Sequence, residues 1–212
     1  YFVWSDVFAC PDCSHEETYY QYAYSAQEKK YLAEFLCPSC SAQLTKKSLE
    51  RRYETVMDPI VGAPIKRAKS KMVLRSFEDC NGRRCHLPPI PSDQSRVRKA
   101  ELLPVPETVP ADEIPYMHMT HERNNLAGIG VSHFHHFFTA RNLITIGEIL
   151  KIIWERPQPA RRALLFWLTS CIPKLSRLMN YNADGIGRVT KGIFYFASVS
   201  QEFSPFAMLR RS

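Results

Sequence analysis

Side chains at the start of the chain, Tyr1-Phe2-Val3-Trp4-Ser5-Asp6-Val7-Phe8, alternate in the manner of a strand, since a period of two sends successive residues to opposite faces of a pleated ribbon. That regularity fades after residue 56. Pro59, Pro64, Pro88, Pro89, Pro91, Pro104, Pro106 and Pro110 interrupt a polar, basic run, and regular helix is not expected there because proline lacks the N–H and crowds the preceding turn. One hairpin is expected inside it. Lys71 to Asp79 and Arg83 to Leu87 flank Asn81-Gly82, a pair that tolerates positive φ. If Cys80 and Arg83 close the turn, Cys80 and Cys85 share a face. Ile114 to Met119 reads as a short strand, followed by the polar loop Thr120 to Asn125 and by Gly128 and Gly130. Beyond it the period changes to that of a helix. Leu143, Ile146, Gly147, Leu150 and Ile153 or Trp154 form one stripe, with Thr139 as the N-cap and with Pro157 and Pro159 ending the helix after Glu155. A second helix carries Leu164, Leu168, Cys171, Leu175 and Leu178, and Pro173 is expected to kink or split it. A loop with Asn180, Asn182 and Gly185, a strand at Gly192 to Ala197 and a mixed segment ending in Arg210 and Arg211 complete the chain. No internal repeat is visible.

Composition narrows this picture. A length of 212 residues allows one large domain or two small ones. Twenty-eight Lys and Arg against 21 Asp and Glu give a formal +7, a field that attracts phosphates or an anionic surface. A membrane partner is not expected, because apolar stretches such as Ala163 to Thr169 fall short of the roughly 20 residues of a spanning helix. No secretory signal is visible, and Tyr1 in place of an initiator Met suggests a piece of a longer chain.

Four of the seven cysteines form two CxxC pairs, Cys10-Pro-Asp-Cys13 and Cys37-Pro-Ser-Cys40, with residues 14–36 between them. Each such turn places two thiolates on one edge of a tetrahedron, so two turns complete a zinc site of four cysteines. Cys10, Cys13, Cys37 and Cys40 are therefore the expected ligands of a structural zinc, with a rubredoxin-type iron or disulfides as competitors. Thiol chemistry of this kind suits a reducing cytoplasm. Ser14 and Ser41 stand where zinc ribbons usually have glycine, which costs backbone strain but no ligand. Cys80, Cys85 and His86 supply at most half of a second site, and Cys171 falls on an apolar stripe where packing is its expected role.

A second informative stretch runs from Ser132 through His133, His135 and His136 to Arg141 and Asn142. Read as extended chain, it points His133 and His135 one way and His136 the other, a poor metal site with no nearby carboxylate. The choice is between structural histidines and contacts to phosphate or bases by His135, His136, Arg141 and Asn142 at the helix start. Basic residues of the middle zone, among them Lys66, Lys71, Arg83, Arg84, Arg96, Arg98 and Lys99, suit a phosphate-tracking surface equally with an ordinary solvated one.

Catalytic signatures are missing. There is no P-loop, no Gly-x-Ser-x-Gly elbow and no paired-histidine metalloprotease helix. Gly128-Ile129-Gly130 and Gly185-Ile186-Gly187 are isolated GxG matches, and Leu87-Pro88-Pro89-Ile90 keeps only the two prolines of an amino-methyltransferase motif.

Taken as a set, Tyr1 to Cys13, Phe35 to Arg51, Ile114 to Asn125, Gly130 to Leu143 and Gly192 to Arg211 resemble the central region of the large prokaryotic amino-DNA methylases that carry an inserted zinc ribbon. The family reads glycine at positions 14 and 41, and an aromatic where this chain has Met117. The pattern along the chain gives an α+β fold in three parts, a zinc-ribbon module over 1–56, a basic Pro-rich hairpin region over 57–112 and an α+β, mainly helical segment over 113–212, and the resemblance implies that they belong to a larger methyltransferase. It implies methyl transfer from S-adenosylmethionine to an exocyclic amino group of adenine or cytosine in double-stranded DNA. It also implies that the cofactor loop and the Asp-Pro-Pro-Tyr motif belong to the remaining catalytic portion, outside these residues. A stand-alone zinc-ribbon module that binds nucleic acid or protein without catalysis is the competing expectation.

Overall fold

The structure is a computed structural model that describes residues 1–182, 187–189 and 194–210. In the first part of the chain, β1 (Phe2–Ala9) and β2 (Glu16–Thr18) lead into the short helix α1 (Tyr19–Ala23), then β3 (Tyr24–Ser25), β4 (Lys30–Tyr31), β5 (Glu34–Leu36), β6 (Gln43–Thr45) and β7 (Glu50–Arg51). The middle holds β8 (Tyr53–Asp58), β9 (Ala63–Ala68), β10 (Ser70–Glu78), β11 (Arg84–Leu87) and α2 (Pro91–Glu101). The last part holds α3 (Ala140–Trp154), α4 (Ala160–Leu175), β12 (Met179–Tyr181), β13 (Gly187–Val189), β14 (Val199–Glu202) and α5 (Pro205–Leu209).

Mixed α/β architecture is organised around β1. Its first half lies between β10 (Phe2 opposite Arg75, Asp6 opposite Ser70) and β14 (Phe2 opposite Glu202, Ser5 opposite Val199). Its second half pairs with β2 and β7, all antiparallel. The sheet order is β11-β10-β1-β14-β12-β13. Alternation explains the placement: Val3, Ser5 and Val7 are almost fully buried on one face, and the Ser5 hydroxyl there accepts the Tyr20 N–H at 3.0 Å. Strands from all three sequence zones therefore share one sheet. Phe8, Tyr19, Tyr22, Phe35 and Leu44 form an aromatic core beneath the knuckles. Ile114, Leu126, Val131 and Phe137 form a second core, and Ile146, Cys171, Leu175 and Met208 a third. Cys171 is a packing residue, as its stripe implies.

Several local expectations are corrected. Residues 91–101 form a helix despite the surrounding prolines, because Pro91 occupies the first turn, where no N–H is required. The Asp93 carboxylate accepts the Ile90 N–H at 3.0 Å and fixes the start. The β10–β11 hairpin forms as expected, but Asp79 and Arg83 close it: the Asp79 N–H donates to the Arg83 carbonyl at 2.9 Å, leaving Cys80 in the loop. Gly82 there has φ 73°.

Residues 114–119 do not form a strand. Only a Glu113–His133 bridge appears, and His118–Glu122 winds into a π-helical turn around buried Thr120, whose hydroxyl accepts the Met117 N–H at 3.1 Å. Thr139 has N-cap geometry, yet its hydroxyl donates to Glu202 Oε1 at 2.6 Å instead of capping α3. Helix α4 runs through Pro173 to Leu175. The carbonyl freed by that proline belongs to exposed Thr169, where water can satisfy it. Asn180 lies in a strand rather than a loop. Gly185, Gly192 and Ile193 lie outside the described residues, while Phe194–Ala197 are not a strand; the strand lies at Val199–Glu202. Among the described residues no helix is long and apolar enough to cross a membrane.

Two glycines explain how the parts approach one another. A Cβ on Gly147 of α3 would lie 2.8 Å from Val109 and 2.9 Å from Pro106, so glycine admits the proline-rich strap. Gly130, at φ 80°, would place a Cβ 2.4 Å from Arg67 Cα and 2.5 Å from the Lys66 carbonyl. Left-handed strain of roughly 1–2 kcal/mol and overpacking of roughly 1–3 kcal/mol then combine. Gly130→Ala is expected to destabilise the protein by about 2–5 kcal/mol, read as a lower midpoint of denaturant unfolding.

Candidate metal centre and a buried histidine pair

The two CxxC turns are built alike. In the first, the Cys10 N–H donates to the His15 carbonyl at 3.0 Å and the Ser14 N–H to the Cys10 carbonyl at 2.9 Å. In the second, the Cys37 N–H donates to the Ala42 carbonyl and the Ser41 N–H to the Cys37 carbonyl, both at 2.9 Å. Strands β1 and β2 hold one knuckle, and β5 and β6 hold the other. Ser14 and Ser41 adopt φ 59° and 61°, the left-handed conformation in which a glycine would be unstrained.

The sulfurs converge. Cys10 Sγ lies 3.8 Å from Cys40 Sγ, and Cys13 Sγ lies 3.6 Å from Cys37 Sγ. All four lie within 4.8 Å of one another. A tetrahedron with Zn–S bonds of about 2.3 Å has edges of roughly 3.8 Å, so the donor set fits a zinc ion. Cys10 and Cys37 are buried while Cys13 and Cys40 are exposed. Four thiolates leave no position for water or substrate, and a metal held this way is structural. Cys80, Cys85 and His86 join no such cluster among the described residues.

The histidine segment differs from the sequence expectation. Phe134–Phe137 is a 3-10 turn, not extended chain, so His135 and His136 both reach the same oxygen of Asp58 at the end of β8. His135 Nε2 is 2.9 Å and His136 Nε2 2.6 Å from Asp58 Oδ2. The other carboxylate oxygen accepts the N–H groups of Ile60 and Val61 at 2.8 and 3.1 Å. A carboxylate does complete the cluster, from a residue 77 positions away.

All three residues are buried. Burial alone would raise the Asp58 pKa, but hydrogen bonds from His136, His135 and the two backbone N–H groups outweigh it and hold the carboxyl well below its ordinary range. The pKa of His136 is lowered, chiefly by burial, against the opposing pull of Asp58.

Two histidines and a carboxylate also match a common metal triad, yet the surrounding hydrogen bonds oppose one here. His136 Nδ1 accepts the backbone N–H groups of Ser132 and His133 at 3.1 and 3.3 Å, so the ring proton sits on Nε2 and points at Asp58. A ligating Nε2 would require that proton on Nδ1, against two donors. The arrangement is a hydrogen-bonded clasp between the β8–β9 hairpin and the 3-10 turn.

The other residues expected to face DNA are also engaged internally. Asn142 is buried, and its amide donates to the carbonyls of Leu175 at 2.9 Å and Phe203 at 3.0 Å. Arg141 pairs with buried Glu202 at 2.7 Å and lies over the Phe2 ring. His135, His136 and Asn142 are thus withdrawn from the surface, and Arg141 is committed to Glu202. Asp58, which holds the two histidines, belongs to no sequence motif, its nearest trace being the Asp58-Pro59 turn signal, and Glu202 lies within residues 192–211 with nothing to mark its role. Neither a family model nor any curated protein or solved structure matches this chain.

Native mass spectrometry with metal quantification should find one zinc per chain, lost together with the folded state in Cys10→Ser; iron in its place would establish a rubredoxin-type centre. Replacing Ser14 and Ser41 by glycine should stabilise the protein by up to about 1 kcal/mol per site, with unchanged metal content, because the left-handed penalty of roughly 1–2 kcal/mol exceeds the entropic cost of glycine, roughly 0.5–1 kcal/mol.

Acid should also weaken the clasp. A depressed folded pKa means that stability is complete above the unfolded value and is lost as pH falls through the folded one. Loss is therefore expected below 6.5 for His136 and, further, below 3.8 for Asp58. His136→Gln should flatten the upper part of the stability–pH profile relative to the unsubstituted chain, a difference in which any acid loss of metal common to both cancels.

Proposed function

We propose that this chain is the zinc-stabilised DNA-handling insertion of an S-adenosylmethionine-dependent amino-DNA methylase acting in the cytoplasm. The carrying observation is a set of solvent-facing cations on two neighbouring elements, Arg83 and Arg84 at the end of the β10–β11 hairpin and Arg96 and Lys99 on α2. None is ion-paired with a described residue. The elements are tied together, since Arg75 of β10 approaches the buried Asp93 of α2 at 3.9 Å. Duplex DNA is the partner that such a surface suits, because phosphate contacts release counterions and need no base recognition.

In this reading the zinc centre has no part in chemistry. It fixes β1 against the first knuckle, and β1 in turn pairs with β10. Methyl transfer to an exocyclic amino group requires the base to leave the stack, and a rigid basic surface would hold the displaced duplex while the catalytic portion of the enzyme, carrying the cofactor loop and the Asp-Pro-Pro-Tyr motif, acts on the base. Exposed Trp154, Phe166 and Phe206 on α3, α4 and α5 favour a second role for the helical face, as the contact to that catalytic portion.

Fluorescence anisotropy with the zinc-loaded chain and a labelled duplex tests the reading. Affinity should fall steeply with salt, and the combined Arg83→Gln, Arg84→Gln, Arg96→Gln and Lys99→Gln variant should reduce the slope of log K against log salt by about 0.9 for each phosphate no longer neutralised. A slope unchanged by the fourfold variant would overturn the assignment of this face.

A further inference from the structure

We infer that the cleft between the β8–β9 hairpin, α2 and the start of α3 is a binding site for a nucleoside monophosphate. It encloses about 740 Å³, within the range of small-molecule sites, roughly 300–1,000 Å³. Met57, Ile65, Met72 and Val97 contribute apolar walls. Cations outnumber carboxylates around it: Arg67, Lys71, Arg98, Arg141 and Arg177 face Glu54, Asp58 and Glu101.

Most of those charges are already committed. Arg67 pairs with Glu54 at 2.8 Å and Arg141 with Glu202 at 2.7 Å, while Arg177 donates to the His136 carbonyl at 3.2 Å. Lys71 and Arg98 have no ion pair with a described residue, and their positive charge is available to an anion. The start of α3 lies in the same wall with Thr139, Ala140 and Arg141. It has no side-chain cap and no acidic residue in its first turn, but the buried Glu202 carboxylate accepts from Thr139 and pairs with Arg141 there, so the charge offered to a phosphate is chiefly that of Lys71 and Arg98.

A separate observation points to the other end of such a ligand. His135 lines the cleft and is 5 % exposed, and its Nδ1 is buried without any partner. His135 Nε2 lies 2.9 Å from Asp58 Oδ2, so Nδ1 is the one polar atom of the ring left without a partner. A buried polar atom of this kind is costly unless something pairs with it. The hydrogen-bonding edge of a nucleobase supplies that pairing, a phosphate balances Lys71 and Arg98, and the apolar walls suit a planar base. A bare phosphate meets only one of these requirements.

The inference is independent of the duplex-binding face, which uses other residues. Calorimetric titration of the zinc-loaded chain with AMP and with CMP, beside inorganic phosphate and adenosine, is the test, together with NMR of 13C-labelled methionine methyls. Saturable one-to-one binding of at least one nucleotide is expected, at least tenfold tighter than either phosphate or adenosine. The methyls of Met57 and Met72 should shift while that of Met117 stays in place. Lys71→Glu and Arg98→Glu, at exposed positions where folding is not at risk, should each raise Kd at least tenfold, and the fourfold variant of the duplex-binding face should leave it unchanged. Absence of heat and of methyl shifts with both nucleotides, equal affinity for inorganic phosphate, or shifts away from Met57 and Met72 would each overturn the assignment.

Discussion

Everything in this molecule depends on satisfying both edges of β1. A central strand carries donors and acceptors on each side, and buried backbone groups left unpaired are costly. Here four strands share the task, β10 and β14 along one half and β2 and β7 along the other. Because those strands come from every part of the sequence, β1 cannot be satisfied until the chain has folded throughout. The first knuckle begins where β1 ends, at Cys10, so a metal held by the four thiolates would also fix the strand on which the sheet is built.

The hydrophobic component is divided. Among the described residues, three buried clusters, around Phe8 and Tyr22, around Leu126 and Val131, and around Cys171 and Leu175, take the place of one large core. Between them the contacts are polar and specific. Asp58 joins the β8–β9 hairpin to the histidine turn, Glu202 joins β14 to Thr139, Trp4 and Arg141, and Asn142 joins α3 to α4 and to the segment after β14. Asp58, Glu202 and Asn142 are themselves buried, and removing a partner leaves such a group desolvated and unpaired, a penalty of roughly 1–3 kcal/mol or more for a charge. Such contacts specify how the small cores are arranged relative to one another.

Legibility in the sequence follows the range of the interaction. The paired CxxC turns can be read because their chemistry is local: proline sets each turn, two thiolates lie on one edge, and Ser14 and Ser41 fall at positions of positive φ. The helices α3 and α4 are equally plain, since 3.6-residue periodicity needs no partner to be recognised. The hairpin at Asn81-Gly82 is visible, although the residues that close it are not. What cannot be read depends on distant partners. Nothing near His135 and His136 in sequence announces Asp58, and without that carboxylate an extended, outward-facing segment is the simplest reading. Helix α2 escapes for a different reason. Proline reads as a breaker throughout 57–112, whereas Pro91 sits in the first helical turn, the part of a helix that tolerates it.

This division between local and distant determinants bears on where ligand chemistry can reside. Residues that hold the fold together, His136, Asn142, Arg141 and Glu202, have their hydrogen-bonding capacity engaged by the protein itself, and a group so engaged can contribute to a ligand only by breaking an internal contact. Among the described residues, two sets with unused capacity bear on ligands. Arg83, Arg84, Arg96 and Lys99 stand on solvent-facing elements without an ion pair to a described residue, an arrangement suited to an extended polyanion. Lys71, Arg98 and the unpaired His135 Nδ1 border a cleft with apolar walls, an arrangement suited to a small molecule with a charged end and a hydrogen-bonding end. The first set is screened by salt because it is exposed; in the second, Lys71 and Arg98 are exposed as well, but the buried His135 Nδ1 is not. Binding that depends on the two sets should therefore respond differently to ionic strength even though both ligands carry phosphate.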